Sequence, residues 1–235
     1  MLDNVTVIHY TANNKPTEFS QRVRDWNMSA IGNNLPIISI SQKPIDFGEN
    51  ICVGDVGVSL HNAWRQIQIG ASKATTKFIC LVEDDRLYPS TYFRFIPDRH
   101  DTFYIPIPIY VLWSKSHNNG WWAISRHFPE GAGFASRDFV IASIETCLSN
   151  YGMWCTPEDI AKNPKRRSPF PFRYLNNECF TISEPIIQFR LDTDMHKKAR
   201  FDKRTVRTGG IPYWGSGRKL IDKFVTYEYL NSHTI

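Results

Sequence analysis

The chain has 235 residues, of which 42% are apolar and 22% charged, and its formal net charge is +5. This balance is typical of a globular protein and excludes a disordered one. We expect no membrane span, because no apolar run approaches the length of a bilayer, and no secretory signal at the N-terminus. The five cysteines have no C-x-x-C spacing, so we expect reduced thiols in a single cytoplasmic domain, 1–235, rather than disulfides or a zinc site.

The first 90 residues predict strands and helices in alternation. Short β-branched or continuous apolar runs predict strands at 5–9, 36–40 and 77–82. Spaced apolar residues predict helices at 18–28 and 58–72. Strand, helix, strand, helix, strand is the pattern of an open α/β fold, in which the run at 77–82 is buried on both faces.

Beyond residue 90 the pattern is less regular. The apolar run 103–113 contains two prolines, which predict an edge strand or an irregular one. Residues 139–148 predict a helix, and 180–191 one or two strands. Residues 160–176 and 197–217 are basic and rich in proline or glycine, which is typical of loops.

Positive charge is concentrated towards the end of the chain. Residues 162–223 contain 15 Lys and Arg against 6 Asp and Glu, a net charge of +9, whereas residues 1–161 have a net charge of −3. Such a basic tract suits a polyanion or a phosphate-bearing ligand, and a solvated basic surface is the alternative.

Three consecutive acidic residues, Glu83, Asp84 and Asp85, follow the buried strand at 77–82. Carboxylates in such a row repel one another unless a cation or hydrogen-bond donors compensate them. Ligands of open α/β sheets bind beyond the carboxyl ends of the strands, where carboxylates can hold a hard divalent cation. The sequence therefore predicts a metal site there, and an acidic turn before a helix is the alternative.

The stretch from Gly57 to Pro89 carries a resemblance to a known family. Small residues in a helix, the strand Lys77-Phe-Ile-Cys-Leu-Val and the acidic triplet resemble the N-terminal half of GT-A-fold, family-2-like glycosyltransferases, with their D-x-D motif. The resemblance covers about residues 4–95, and Glu83 departs from the motif by giving E-x-D. It implies an α/β, GT-A-like open mixed sheet, with a nucleotide-sugar-binding half at 1–95 and an irregular acceptor-binding half at 96–235.

The resemblance also implies roles for individual residues. Asp85 would coordinate Mn²⁺ or Mg²⁺ on the diphosphate of a nucleotide sugar, a UDP-sugar first of all, and Glu83 and Asp84 would contact the metal shell or the ribose. Thr11 and Asn13, in the loop after the first strand, would hold the nucleotide base, and Arg65 would reach the base or the phosphates. Turn residues and a solvated helix residue are the alternatives for these three.

Further ligands would come from the C-terminal third. His196 is in a plausible place for another metal ligand, with Asp192 and Asp194 as substitutes, and a surface histidine is the alternative. Lys198 and Arg204 would close over the diphosphate once the donor binds.

An inverting transferase needs a carboxylate base to accept the proton of the acceptor hydroxyl. The pair Glu158 and Asp159 is the first candidate, and Asp138 is the second. The pair could equally be the acidic first turn of a helix after Thr156.

Trp121 and Trp122 lie where acceptor loops occur and could stack on a sugar ring or an extruded base, with core packing as the alternative. The basic tract favours a polyanionic acceptor. Hydroxylated bases in DNA, the substrates of some bacteriophage enzymes of this type, are compatible with it. A short glycan or lipopolysaccharide is the rival acceptor.

Two other classes of protein remain open. Clustered carboxylates with a basic surface also serve phosphoryl transfer, so a metal-dependent nuclease or nucleotidyltransferase is one alternative. A non-catalytic nucleic-acid-binding module is the other, although an exposed acidic triplet would repel a phosphate backbone.

Overall fold

The structure is a computed structural model that describes residues 4–33, 35–113, 120–125, 131–162, 176–191, 207 and 209–225. Its strands are β1 (Val5–Thr11), β2 (Ile37–Ser41), β3 (Glu49–Cys52), β4 (Phe78–Glu83), β5 (Arg86–Leu87), β6 (Thr102–Trp113), β7 (Trp122–Ile124), β8 (Ala132–Ser136), β9 (Asn176–Arg190), β10 (Gly210–Ile211) and β11 (Gly215–Ser216). Its helices are α1 (Thr17–Ile31), α2 (Leu60–Lys73), α3 (Arg137–Leu148), α4 (Pro157–Lys162) and α5 (Gly217–Phe224), with a 3₁₀ turn at Tyr92–Arg94.

One large mixed sheet organises the molecule. Its strand order is β3-β2-β1-β4-β8-β6-β9-β5, and β7 extends it by pairing with β6. Strands β1 to β4 are mutually parallel, whereas β8 runs antiparallel to both β4 and β6. In the sheet, β2 lies on one side of β1 and β4 lies on the other side. The sheet order therefore reverses between β1 and β4, which is a topological switch point.

Helices cover both faces of this sheet. α2 and α3 bury apolar side chains such as Trp64, Ile67 and Ile144 on one face, and α1 lies on the other with Val23 and Ile31. All seven residues of β1 are buried, as expected for a strand covered on both sides. Within the described residues, no helix is both long and apolar enough to cross a bilayer.

α2 approaches the sheet closely at Gly70. A Cβ atom there would lie 2.7 Å from Cγ2 of Ile8, so only glycine allows the observed contact. At its other end, the Ser59 side chain accepts a hydrogen bond from the Asn62 backbone N–H at 3.0 Å and caps the helix. The Gln66 side chain of α2 donates to the Thr11 carbonyl at 2.9 Å, so the first half of α2 lies beside the carboxyl end of β1.

The elements predicted in the first 90 residues are confirmed, and the helix at 139–148 is confirmed as α3. The edge position expected for the proline-containing run is wrong, because β6 lies between β8 and β9. Its irregularity is confirmed by a register shift between Ile107 and Ile109. Pro106 and Pro108 fall between the residue that pairs with β8, Tyr104, and the segment that pairs with β7. The two prolines lack a backbone N–H, but they therefore remove no hydrogen bond between β6 and β8 or between β6 and β7.

Candidate functional site

The candidate site lies where β1, β2 and β4 end. Thr11 is in register with Ser41 of β2, and Tyr10 is in register with Glu83 of β4, so these ends meet at one edge of the sheet. This edge includes the switch point between β1 and β4, the position at which open α/β sheets form a ligand crevice. The acidic triplet begins with the last residue of β4, Glu83, at the strand end that the sequence predicts.

Glu83 is held by two protein donors. The Tyr10 hydroxyl donates to Oε1 at 2.7 Å, and the Arg86 guanidinium lies 2.9 Å from Oε2. Burial, followed by the charge of Glu83, raises the pKa of Tyr10 above its ordinary value, so the phenol remains a donor. The backbone of Gly131 lies against the Glu83 carboxyl with no room for a Cβ atom. Both oxygens of Glu83 are thus engaged within the protein.

Asp84 is buried at the switch point. Its Oδ2 accepts a hydrogen bond from the Thr11 hydroxyl at the end of β1. The pKa of Asp84 is raised to about 6, chiefly by burial and also by the neighbouring carboxylates of Asp85 and Glu83, against the lowering effects of Lys15 and of the Thr11 hydrogen bond. A cation that approaches Asp84 would therefore favour its ionised form.

Asp85 is also buried, with 8% of its surface exposed. The Lys15 ammonium lies 4.0 Å from Oδ2, and Nε of Arg86 lies 3.8 Å from Oδ1. Both distances exceed a good hydrogen bond, and Oδ1 accepts none from the residues that the structure describes. A buried carboxylate oxygen without a donor costs free energy, which a ligand cation would recover.

Asp84 and Asp85 fit a divalent cation as part of its ligand set. Asp85 offers a free oxygen and Asp84 lies beside it, whereas the oxygens of Glu83 are engaged elsewhere. Across the described ranges, no group of three or more His, Cys, Asp and Glu residues is arranged to hold a metal ion. One or two carboxylates, completed by substrate phosphates and water, is the usual protein contribution to a Mg²⁺ site.

Asn13 lies at the same edge, but its side chain is hydrogen-bonded to the protein backbone. Its Oδ1 accepts hydrogen bonds from the backbone N–H groups of Gln42, at 2.8 Å, and Lys43, at 2.9 Å. Its φ of 52° is left-handed, which asparagine tolerates in tight turns. Asn13 thereby ties the loop after β1 to the loop after β2, in agreement with the turn-residue alternative.

Arg65 does not reach the candidate site. Its side chain is buried between α2 and α3, where it lies 3.1 Å from the Glu145 carboxylate and donates to the Leu148 carbonyl at 3.0 Å. It is therefore a helix-to-helix contact, neither a solvated residue nor a neighbour of the acidic triplet.

The two candidate positions for the base lie at different edges of the sheet. Asp138 lies in the first turn of α3, next to Arg137, whose backbone N–H donates to the carbonyl of Lys77 just before β4 begins. This is the edge opposite the triplet. The segment before α4 lies beside the start of α2, because the backbone N–H of Cys155 donates to the Asn62 side chain at 2.8 Å. The start of α2 is at the same edge as the triplet.

Within the acidic pair, Asp159 caps its own helix. Its carboxylate accepts from the backbone N–H of Thr156 at 3.0 Å, and its backbone N–H donates to the Thr156 hydroxyl at 3.2 Å. This reciprocal pair is a capping box, as the helix-start alternative expects. Glu158 is exposed and has no hydrogen bond to another described residue.

The two tryptophans differ in environment. Trp122 is 3% exposed and packs on Tyr110 with ring centroids 4.7 Å apart, so it belongs to the core. Trp121 is half-buried, and its carbonyl accepts from the backbone N–H of Trp113 at the end of β6. His196, Lys198 and Arg204, like Asp192 and Asp194, lie outside the described residues.

Sequence reasoning missed the basic partners of the triplet. Arg86 follows the triplet directly and is 4% exposed, and the Lys15 side chain is 8% exposed although the residue lies in a short polar loop. An arginine adjacent to three carboxylates was a signal that could have been read. The approach of Lys15 depends on the pairing of β1 with β4, which residue spacing does not reveal.

No protein-family model matches the sequence, and a search of curated proteins finds no match. Solved structures of similar shape include the inositol-1-phosphate CTP transferase from T. maritima, with 9% identity, 97% of this chain and 98% of that chain covered, and a TM-score of 0.47. The glycosyltransferase GlyE of Streptococcus pneumoniae is 10% identical over 76% of this chain and 45% of that chain, with a TM-score of 0.43. Glucosyl-3-phosphoglycerate synthase from Mycobacterium tuberculosis is 10% identical over 64% and 67% of the two chains, with a TM-score of 0.37.

The predicted fold class is confirmed. The chain forms a mixed α/β structure with a large open mixed sheet. The similar structures are nucleotidyltransferases and glycosyltransferases. At this level of similarity, we base the function on the geometry of the site itself.

Proposed function

We propose that the protein is a glycosyltransferase that moves a sugar from a nucleotide-diphosphate sugar to a hydroxyl acceptor. The observation that carries this proposal is the buried pair Asp84 and Asp85 at the switch point, with the end of β1 joined to Asp84 through Thr11. A nucleotide bound at this edge would have its diphosphate beside these carboxylates, within reach of the basic residues Lys15 and Arg86.

A Mn²⁺ or Mg²⁺ ion on Asp85 would supply Lewis-acid stabilisation of the departing nucleoside diphosphate. The chain's own residues orient that site: Thr11 fixes the Asp84 carboxyl, and Arg86 joins Glu83 to Asp85. For the proton of the acceptor we propose Glu158, because its carboxylate is exposed while Asp159 serves the helix cap.

We propose a polyanionic acceptor, and DNA carrying hydroxylated bases is the first to test. The support is the net charge of +9 in residues 162–223 and the position of Trp121 next to the end of β6. Oligosaccharides and lipopolysaccharide are the comparison acceptors.

The test is product analysis after incubation with UDP-, GDP- and CMP-sugars, a divalent cation and each acceptor. The proposal expects release of the free nucleotide and a sugar on the acceptor, and loss of both in Asp85→Ala. Asp222→Asn, an exposed aspartate of α5 paired with Arg218, is the matched control and keeps full turnover. Release of pyrophosphate from a nucleoside triphosphate would identify a nucleotidyltransferase instead, and cleavage of DNA would identify a nuclease.

A further inference from the structure

Lys15 is an unusual component of the acidic site. It lies in the loop between β1 and α1, yet its side chain is only 8% exposed. Lysine is rarely buried unless an anion compensates it. Its ammonium lies 4.0 Å from Oδ2 of Asp85, close enough for ion pairing and too far for a hydrogen bond to that oxygen.

The local charges allow a bound cation to displace the Lys15 ammonium from Asp85. Lys15 and Arg86 flank Asp85, Arg86 is the closer of the two to Glu83, and the buried Arg24 is a third basic side chain that interacts with Asp84. A divalent cation on Asp85 would repel the Lys15 ammonium, because like charges a few ångströms apart in a buried site interact strongly. The long stem of lysine lets the ammonium move several ångströms without a change of backbone.

The surroundings of Lys15 offer a place for phosphate. α1 begins two residues later, at Thr17, and its first turn has no side-chain cap. This N-terminus follows the carboxyl end of β1, and the uncapped backbone N–H groups at a helix start favour an anion. The ammonium and these N–H groups together would complement the charge of a diphosphate.

On the basis of the proposed function, we propose that Lys15 is an exchangeable counter-ion. Without ligand it neutralises Asp85, and with a divalent cation and nucleotide bound it contacts the diphosphate. It is a binding residue for phosphate, and it competes with the cation for Asp85 while the nucleotide is absent.

The test compares Lys15→Met with wild type in two titrations. In the first, Mn²⁺ is titrated without nucleotide and followed by its electron paramagnetic resonance signal. In the second, UDP, GDP and CDP are titrated by calorimetry at saturating Mn²⁺. We expect Lys15→Met to bind Mn²⁺ more tightly and the diphosphate more weakly, each by roughly tenfold, the size of one charge-assisted contact.

Lys43→Met is the matched control, because Lys43 follows β2 at the same edge and its residue is exposed. It should leave both affinities within about twofold of wild type. If Lys15→Met weakens both affinities, Lys15 is structural and the inference is wrong; if it matches Lys43→Met, Lys15 has no role at the site. Should the wild type bind none of the three nucleotides, the proposed function fails and the inference fails with it.

Discussion

Replacing Asp84 by asparagine should make the protein more stable at neutral pH. The pKa of Asp84 rises from 3.8 to about 6 on folding, chiefly through burial. Ionising this carboxyl is therefore harder in the folded protein than in the unfolded chain. About two pKa units at 1.36 kcal/mol each correspond to about 3 kcal/mol of stability lost at pH 7 and above. Asparagine removes that cost while it can still accept the hydrogen bond from Thr11.

The sign of the pH dependence follows from the same shift. Between pH 4 and pH 6 the folded protein binds more protons at Asp84 than the unfolded chain, so wild-type stability falls as pH rises through this window. The stabilisation by Asp84→Asn should thus be full above about pH 7, decline between pH 6 and pH 4, and vanish below about pH 4.

Urea unfolding at pH 4.5, 6 and 7.5 measures the effect, with Asp222→Asn as an exposed control that should change stability by less than about 1 kcal/mol. The same variant should lose most of its nucleotide binding, since the buried charge serves the site rather than the fold. A gain that does not change with pH, or a loss of stability at pH 7.5, would refute this interpretation of Asp84.

Three further predictions separate structural residues from those of the site. Arg65→Met should lower the free energy of unfolding by roughly 2–4 kcal/mol, because it leaves buried acceptors such as the Leu148 carbonyl unpaired, with nucleotide affinity unchanged by calorimetry. Gly70→Ala should destabilise by about 1–3 kcal/mol in urea unfolding, since the new methyl group would overlap Ile8. Asp138→Asn should retain turnover in the product assay, because it lies at the opposite edge of the sheet; a hundredfold loss would return it to the site.

Much of the first half of the fold could be predicted from local pattern. The runs that became β1, β2 and β4 are β-branched or continuously apolar, and the periodicity of α2 is that of an amphipathic helix. β8 was missed because its sequence, Ala-Gly-Phe-Ala-Ser, is mostly small residues whose strand structure depends on pairing with β4.

The candidate site was predictable only where it depends on chain order. The triplet directly follows a buried strand, so its position at the sheet edge could be read from the sequence. Its contacts with Tyr10 and Lys15 could not, because they join residues about 70 positions apart. For Arg65, the order of the chain was misleading. It lies on the helix that precedes the motif, but its side chain pairs with Glu145 of α3.

The most direct test of the account is nucleotide binding at the switch point. Thermal unfolding of wild type and Asp85→Ala would be followed with UDP, GDP, CMP and their sugars, each with and without Mn²⁺. A ligand at about 100 times its dissociation constant adds roughly 2.7 kcal/mol to the free energy of unfolding. We predict a Mn²⁺-dependent shift with one nucleotide that Asp85→Ala abolishes. Stabilisation by DNA alone, or a nucleotide shift that survives in Asp85→Ala, would contradict a donor site at these carboxylates.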